Sequence, residues 1–178
     1  FIVDPIDGTR ELIKGVPECA VSWGFFASSK IKDPSNWGLI FNPFTGFELS
    51  SSSTFVANQI NQSHYPNHLL GMVSRTEWQQ GLFRKYQKQL MKQKTIAGNC
   101  ISLAPKGSIA YKLALLAAGI VDFVFSYRSK NIWDIAAGTL LCDQRNFVFF
   151  ERGKKITHLK KQTYTPPLLW CRGENYQE

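Results

Sequence analysis

From residue 69 onward, short apolar runs alternate with longer stretches of helical periodicity, a rhythm that suits sheets and helices stacked in layers. Residues 69–74 read as a buried strand. A helix follows from about Thr76, with Trp78, Leu82, Phe83, Tyr86 and Leu90 recurring at helical spacing as a core stripe. Residues 96–103 form a further short strand around Gly98. Residues 108–118 form an apolar helix stopped by Gly119, residues 120–126 a strand, and residues 133–142 a second apolar helix.

The first third has a different texture. Residues 1–3 read as the end of a buried strand, and residues 9–14 as a short helix opened by Thr9 and closed by Gly15. A strand over 19–27 precedes a turn at Asp33-Pro34-Ser35-Asn36. Strands 37–41 and 47–50 then flank Asn42-Pro43-Phe44-Thr45-Gly46 as a hairpin. The polar stretch 51–67 holds one short element around 55–60. Near the other end, 147–150 and 156–159 pair across Arg152-Gly153-Lys154, and the tail 162–178, with Pro166-Pro167 and Trp170, reads as domain-swapped, interfacial or ordered on the surface. The expectation is one mixed α and β domain over 1–178, mainly antiparallel over 1–65 and alternating over 66–178.

The 178 residues are 44% hydrophobic, enough for a real core. Lys and Arg total 21 against 13 acids, a net charge of +8 that attracts polyanions. The surplus gathers around Arg84 to Lys94 and Arg152 to Lys161, and its plain reading is two solvated faces. No nucleic-acid docking motif accompanies it, so no duplex is expected as a partner. No apolar run reaches the ~20 residues of a bilayer span, so no membrane is expected either. Cys19, Cys100, Cys142 and Cys171 lack the paired spacing of a zinc site or a disulfide framework, which points to the cytoplasm.

The chemistry concentrates in Asp4-Pro5-Ile6-Asp7-Gly8-Thr9, between a strand and a helix. Two carboxylates separated by Pro5 and Ile6 can turn towards one point, and hard divalent cations prefer such oxygens, with the Ile6 carbonyl as a further ligand. Gly8 permits close backbone approach, and the amides of Gly8 and Thr9 at a helix start favour an anion. The bland alternative is an Asx turn before a Thr-capped helix. A second segment, Trp133-Asp134-Ile135-Ala136-Ala137-Gly138, has its acid at a helix start, where an Asp is by default a cap. Together the segments supply three carboxylates and no histidine cluster, which suits magnesium and disfavours zinc.

Asp4-Pro5-Ile6-Asp7-Gly8-Thr9, then Gly107-Ser108, a helix, a strand and Trp133-Asp134-Ile135-Ala136-Ala137-Gly138 resemble the inositol monophosphatase family from Phe1 to about Leu141. Arg10-Glu11-Leu12 is similar to its CysQ-like nucleotide bisphosphatase branch. The resemblance implies a layered α-β-α-β-α sandwich of the sugar phosphatase type, two or three Mg²⁺ ions, a small phosphorylated metabolite as substrate, and a homodimer. It implies that Asp4 bridges two ions, that Ile6 gives its carbonyl to the first, and that Asp7 and Asp134 hold the second. Gly8 and Thr9 bind phosphate, and Thr9, beside Asp7, orients the attacking water. Substrate choice falls to Gly107, Ser108 and the loop before Trp133.

The family carries a Gly-Glu-Glu acid pair and a further acid before the Asp-Pro-Ile-Asp-Gly-Thr motif, and these have no counterpart after Phe1. The expectation is that this chain alone is inactive or nearly so. Cys142-Asp143-Gln144-Arg145-Asn146 also replaces a glycine-ended turn of the family. Where inositol phosphate enzymes carry an acid, this chain has Tyr127-Arg128-Ser129-Lys130-Asn131, and Lys130 in a basic loop suits a second phosphate. The rival readings are a noncatalytic phosphate-binding or regulatory remnant and a basic nucleic-acid module.

Overall fold

The computed structural model describes residues 1–53, 68–84 and 100–173. Strands β1 (Ile2–Asp7), β2 (Ala20–Phe25), β3 (Trp37–Asn42) and β4 (Phe47–Ser50) form an antiparallel sheet in sequence order. The hairpin between β3 and β4 closes where Asn42 accepts from the amides of Phe44 and Thr45 through its side chain, an Asx turn dictated by that residue. Alternation is strict in β2: Ala20, Ser22 and Gly24 face inward and are buried, while Trp23 and Phe25 are exposed. Helix α1 (Thr9–Ile13) links β1 to β2.

A second, mixed sheet has the order β10-β9-β12-β7-β5-β6. It comprises β5 (His68–Ser74), β6 (Cys100–Lys106), β7 (Phe123–Ser126), β9 (Phe147–Glu151), β10 (Lys154–Ile156) and β12 (Leu168–Arg172). Strand β5 pairs in parallel with both β6 and β7, whereas β12 pairs antiparallel with β7 and β9. Strands β8 (Lys130–Asn131) and β11 (Thr163–Tyr164) make a small separate pair, and α2 (Arg75–Gln79) lies against β5 and β6.

Between the two sheets run α3 (Ile109–Ala117) and α4 (Ile132–Asp143), packed on each other. Both contact β1, β2 or β3 on one side, while α3 touches β7 and α4 touches β9 on the other. A helix enclosed in this way has no face left for water, and all nine residues of α3 are buried. Gly138 lets the pair approach: a Cβ there would stand 2.6 Å from the Leu113 Cβ. The result is the layered mixed α and β architecture anticipated from the element order.

Several details differ from the sequence expectations, beginning with the opening strand, which is an edge and not buried: Phe1 is 82% and Val3 48% exposed. The helix expected from Thr76 ends at Gln79, because Gly81 adopts φ 75°, and Leu82 is 41% exposed instead of lining the core. Tyr86 and Leu90, like the elements expected at 55–60 and 96–99, lie outside the described residues. The partner of Phe147–Glu151 is Lys154–Ile156, a tighter hairpin than one using 156–159, since Arg152 and Gly153 alone, both at positive φ, turn the chain. The described part of the tail, as far as Gly173, is no surface appendage. Leu168–Arg172 fills the slot between β7 and β9, and Trp170 is fully buried, stacked on Phe149 at 4.4 Å and donating from Nε1 to Thr139 Oγ1 at 3.0 Å. No helix among the described residues is long and apolar enough to cross a membrane.

Candidate metal and phosphate site

Asp4 and Asp7 are three positions apart, an offset that sends side chains to opposite faces of a regular strand. The β1 ladder resolves this conflict with a bulge: Asp4 pairs with Ser22 and Asp7 with Ala20, three residues against two. Pro5 and Ile6 occupy the bulge, so the Ile6 carbonyl lies in the irregular segment between the two acids. Gly8 then turns the chain into α1 at φ 91°, a conformation that an L side chain resists. A Cβ at Gly8 would stand 2.8 Å from the Glu18 carbonyl oxygen and 3.2 Å from the Ser108 Cβ.

The third acid arrives from the start of α4. One carboxylate oxygen each from Asp4, Asp7 and Asp134 lies within 4.8 Å of the others, a span that one cation or a close pair can bridge. Every one of these acids is also tied to nearby backbone. Asp4 Oδ1 accepts from the Ile6 amide at 3.0 Å, the Asx turn of the bland reading. Asp134 Oδ2 accepts from the Asn131 amide at 2.9 Å, the cap of the bland reading. Asp7 Oδ2 accepts from the Ala110 amide at 2.6 Å and from Ser108 Oγ at 2.7 Å, at the N-terminal end of α3.

Crowding shows in the proton affinities. Burial, the charge of Asp7 and the proximity of Asp134 push the Asp4 carboxyl from 3.8 to about 6. Burial also raises Asp134, against the Asn131 amide that favours its charged form, and Asp7 adds to the rise. Such a cluster is one that a cation would relieve.

Beside the acids opens a cavity of about 250 Å³ at the carboxyl ends of β5, β6 and β7, the end at which parallel sheets hold their ligands. Asp7, Gly8, Thr9, Gly107, Ser108, Lys130 and Asp134, all singled out in the sequence, line it, whereas Asp4 is outside the lining. Thr9 is exposed at the start of α1. Ser108 holds φ 39°, a strained value for a non-glycine residue, and its hydroxyl also accepts from the Tyr111 amide at 3.0 Å.

Several residues at the site escaped the sequence reading. Ser74 and Thr76 line the cavity, and so does Lys112 from within α3. Lys112 donates from Nζ to the carbonyls of Lys106 at 3.0 Å and Gly107 at 3.1 Å, and burial brings its ammonium down to about 8 against the pull of Asp7. A lysine inside the apolar run Ile109 to Ala117 was its only signal. Glu18 is buried at the approach to β2 and accepts from the Gly107 amide at 2.7 Å and from the Arg75 guanidinium, with Lys106 at 3.6 Å. Burial pushes its carboxyl up, but these donors outweigh it and hold Glu18 below the usual range. Arg75 also donates to the Pro105 carbonyl at 3.3 Å, so the Glu18–Arg75 pair clamps the turn that carries Ser108.

Known proteins resemble this chain in sequence and in fold. The Nus factor SuhB of Pasteurella multocida is 29% identical over 145 residues, covering 79% of this chain and 52% of the relative. A protein of Thermotoga maritima named fructose-1,6-bisphosphatase/inositol-1-monophosphatase is 28% identical over 141 residues, with the same coverage of 79% and 52%. The chain thus spans about half the length of the curated relatives it matches. In fold it is similar to CysQ of Bacteroides thetaiotaomicron, with a TM-score of 0.66 at 18% identity over 96% of this chain and 68% of that one. The IMPase of Thermotoga maritima gives 0.67 at 19% identity over 96% and 63%. The model of the inositol monophosphatase family matches residues 1–167, a stretch that takes in all three aspartates and most of both sheets. The chain belongs to the inositol monophosphatase family.

Proposed function

We propose that the protein is a magnesium-dependent phosphomonoesterase acting on a small phosphorylated metabolite, with a preference for bisphosphorylated substrates. The convergence of Asp4, Asp7 and Asp134 carries this reading. Their donor set is all oxygen and mutually repulsive, as a hard divalent cation requires, and Asp4 would lose its raised proton affinity on meeting one. Two or three Mg²⁺ ions held by Asp4, Asp7, Asp134 and the Ile6 carbonyl would supply charge neutralisation and alignment for phosphoryl transfer.

The chain's own groups do the rest. Gly8 and Thr9 hold the phosphate at the start of α1, and the Thr9 hydroxyl orients the attacking water beside Asp7. Ser108 keeps Asp7 in register by donating to Oδ2, the oxygen that also accepts from the Ala110 amide. Lys130 and Arg128, which also line the cavity, favour a further anionic group on the substrate. Phosphate release by the complete protein tests the reading. Asp7→Asn and Asp134→Asn should each lower it on the order of a hundredfold or more. Magnesium-independent turnover, or turnover indifferent to both substitutions, would refute it.

A second reading is favoured by the name Nus factor that the SuhB relatives bear: a regulatory protein that binds phosphate without hydrolysing it. Phosphate binding by the complete protein without magnesium-dependent turnover would select it.

A further inference from the structure

Glu77 has no exposure at all, an expensive position for a carboxylate unless its charge serves neighbours. The pattern Ser74-x-x-Glu77 reads as a capping box, in which the glutamate would reach back to the amide of Ser74. Ser74 does accept from the Glu77 amide, at 3.4 Å. The Glu77 carboxylate instead crosses to the end of β7: Oε1 accepts from Ser126 Oγ at 2.8 Å and Oε2 from the Tyr127 amide at 2.9 Å. Its ion-pair partner is Lys130, whose Nζ stands 4.0 Å from Oε1 and whose side chain is 17% exposed.

These contacts fix the basic loop from below. Ser126 Oγ, bound to Glu77, also accepts from the Arg128 amide at 3.2 Å and lies 3.1 Å from the Arg128 carbonyl. The Arg128 guanidinium donates to Gln80 Oε1, just beyond α2. Glu77 in α2 and Gln80 just beyond it thus anchor Lys130 and Arg128, both of which line the cavity, and an ammonium has three donors, so pairing with Glu77 leaves Lys130 able to meet a ligand.

We propose that Glu77 is a positioning residue for ligand selection: its buried carboxylate sets Lys130 and the 127–130 loop so that the cavity receives a second anionic group besides the phosphoryl group held at the aspartates. The inference rests on the phosphate-site reading above, and binding of two inert probes separates the two. Propylphosphonate carries one anionic group and propylene bisphosphonate two, and neither has a phosphoester bond to hydrolyse.

Titrated calorimetrically in magnesium with the complete protein, the wild type should prefer the bisphosphonate. Glu77→Gln should weaken the bisphosphonate about tenfold, the scale of one charge-assisted contact, and propylphosphonate less than about twofold. Lys130→Met should erase the same preference, and adding Glu77→Gln to it should change little, because the two act through one contact. Equal weakening of both probes by Glu77→Gln, or a full tenfold further loss in the Lys130→Met background, overturns the proposal. If Glu77→Gln loses its thermal transition, Ser126→Ala decides by the same ratio: a reduced bisphosphonate preference supports the role, and an unchanged one ends it. A wild type that binds neither probe instead removes the phosphate-site reading itself.

Discussion

Acidification should stabilise this protein in EDTA, the reverse of ordinary acid denaturation. Asp4 titrates at about 6 in the fold against an ordinary value of 3.8 for an exposed aspartate. Between these values the native state binds more protons than the unfolded chain, so stability falls as pH rises through that window. The ionised Asp4 is therefore a burden above pH 6, relieved progressively on acidification and gone below about pH 4. The difference between the two values converts to about 3 kcal/mol at most, and the partial exposure of Asp4 to screening water brings it to about 1.5 kcal/mol. For a chain of this size that is a rise in Tm of about 3–6 °C between pH 7 and pH 4.5. Glu18 and Glu151, held below the usual range, act in the opposite sense as pH falls towards their own values, so wild type must be compared with Asp4→Asn. The variant should be the more stable protein in EDTA at pH 7, and the two should converge near pH 4.5. Magnesium should invert the order at pH 7 by binding the native wild type, and lose its effect as protons displace it. Parallel melting curves of wild type and Asp4→Asn across the whole range in EDTA would refute the claim that burial and the neighbouring acids burden the ionised Asp4.

Two further outcomes follow from the packing. Glu18→Gln keeps the shape of the clamp but leaves Arg75 without its anionic partner. It should cost roughly 2–3 kcal/mol, somewhat below the cost of breaking a fully buried pair, read as a shift in denaturation midpoint. Ending the chain at Pro167 removes β12 and leaves β7 and β9 facing each other across an empty strand position, so circular dichroism should show no cooperative transition; a normal melt would mean that β12 is dispensable.

What could be read in advance was what neighbours in sequence decide. The hairpin of β3 and β4 is written in the Asn42 turn, and α3 and α4 in apolar runs with a glycine stop or an acid start. The strand Leu168–Arg172 follows Pro166-Pro167, which punctuates locally as a loop, and its place depends on partners roughly 20 and 45 residues upstream, β9 and β7. The early end of α2 turns on the conformation of one glycine inside a periodic stretch that otherwise promises more helix. At the site, the aspartates announce themselves through local motifs. Glu18 and Glu77 do not, because a glutamate beside an apolar run looks like any surface acid until Gly107, Arg75, Ser126 and Tyr127 come to meet it.

The local and the functional readings of the three aspartates need not compete. Asp4 makes its Asx turn, Asp134 caps α4 and Asp7 caps α3 across a hundred residues of sequence, each through hydrogen bonds to a single oxygen. Those contacts hold the carboxyl groups in orientation before any cation arrives, and each acid offers one oxygen within 4.8 Å of those of the other two. Three acids kept together without such anchors would turn away from one another into solvent. The backbone amides thus make tolerable a concentration of negative charge that the fold alone would disperse, and the raised proton affinity of Asp4 is what burial, first, and the neighbouring acids, second, impose beyond what the Ile6 amide offsets. A cation would complete an arrangement that the caps have already oriented.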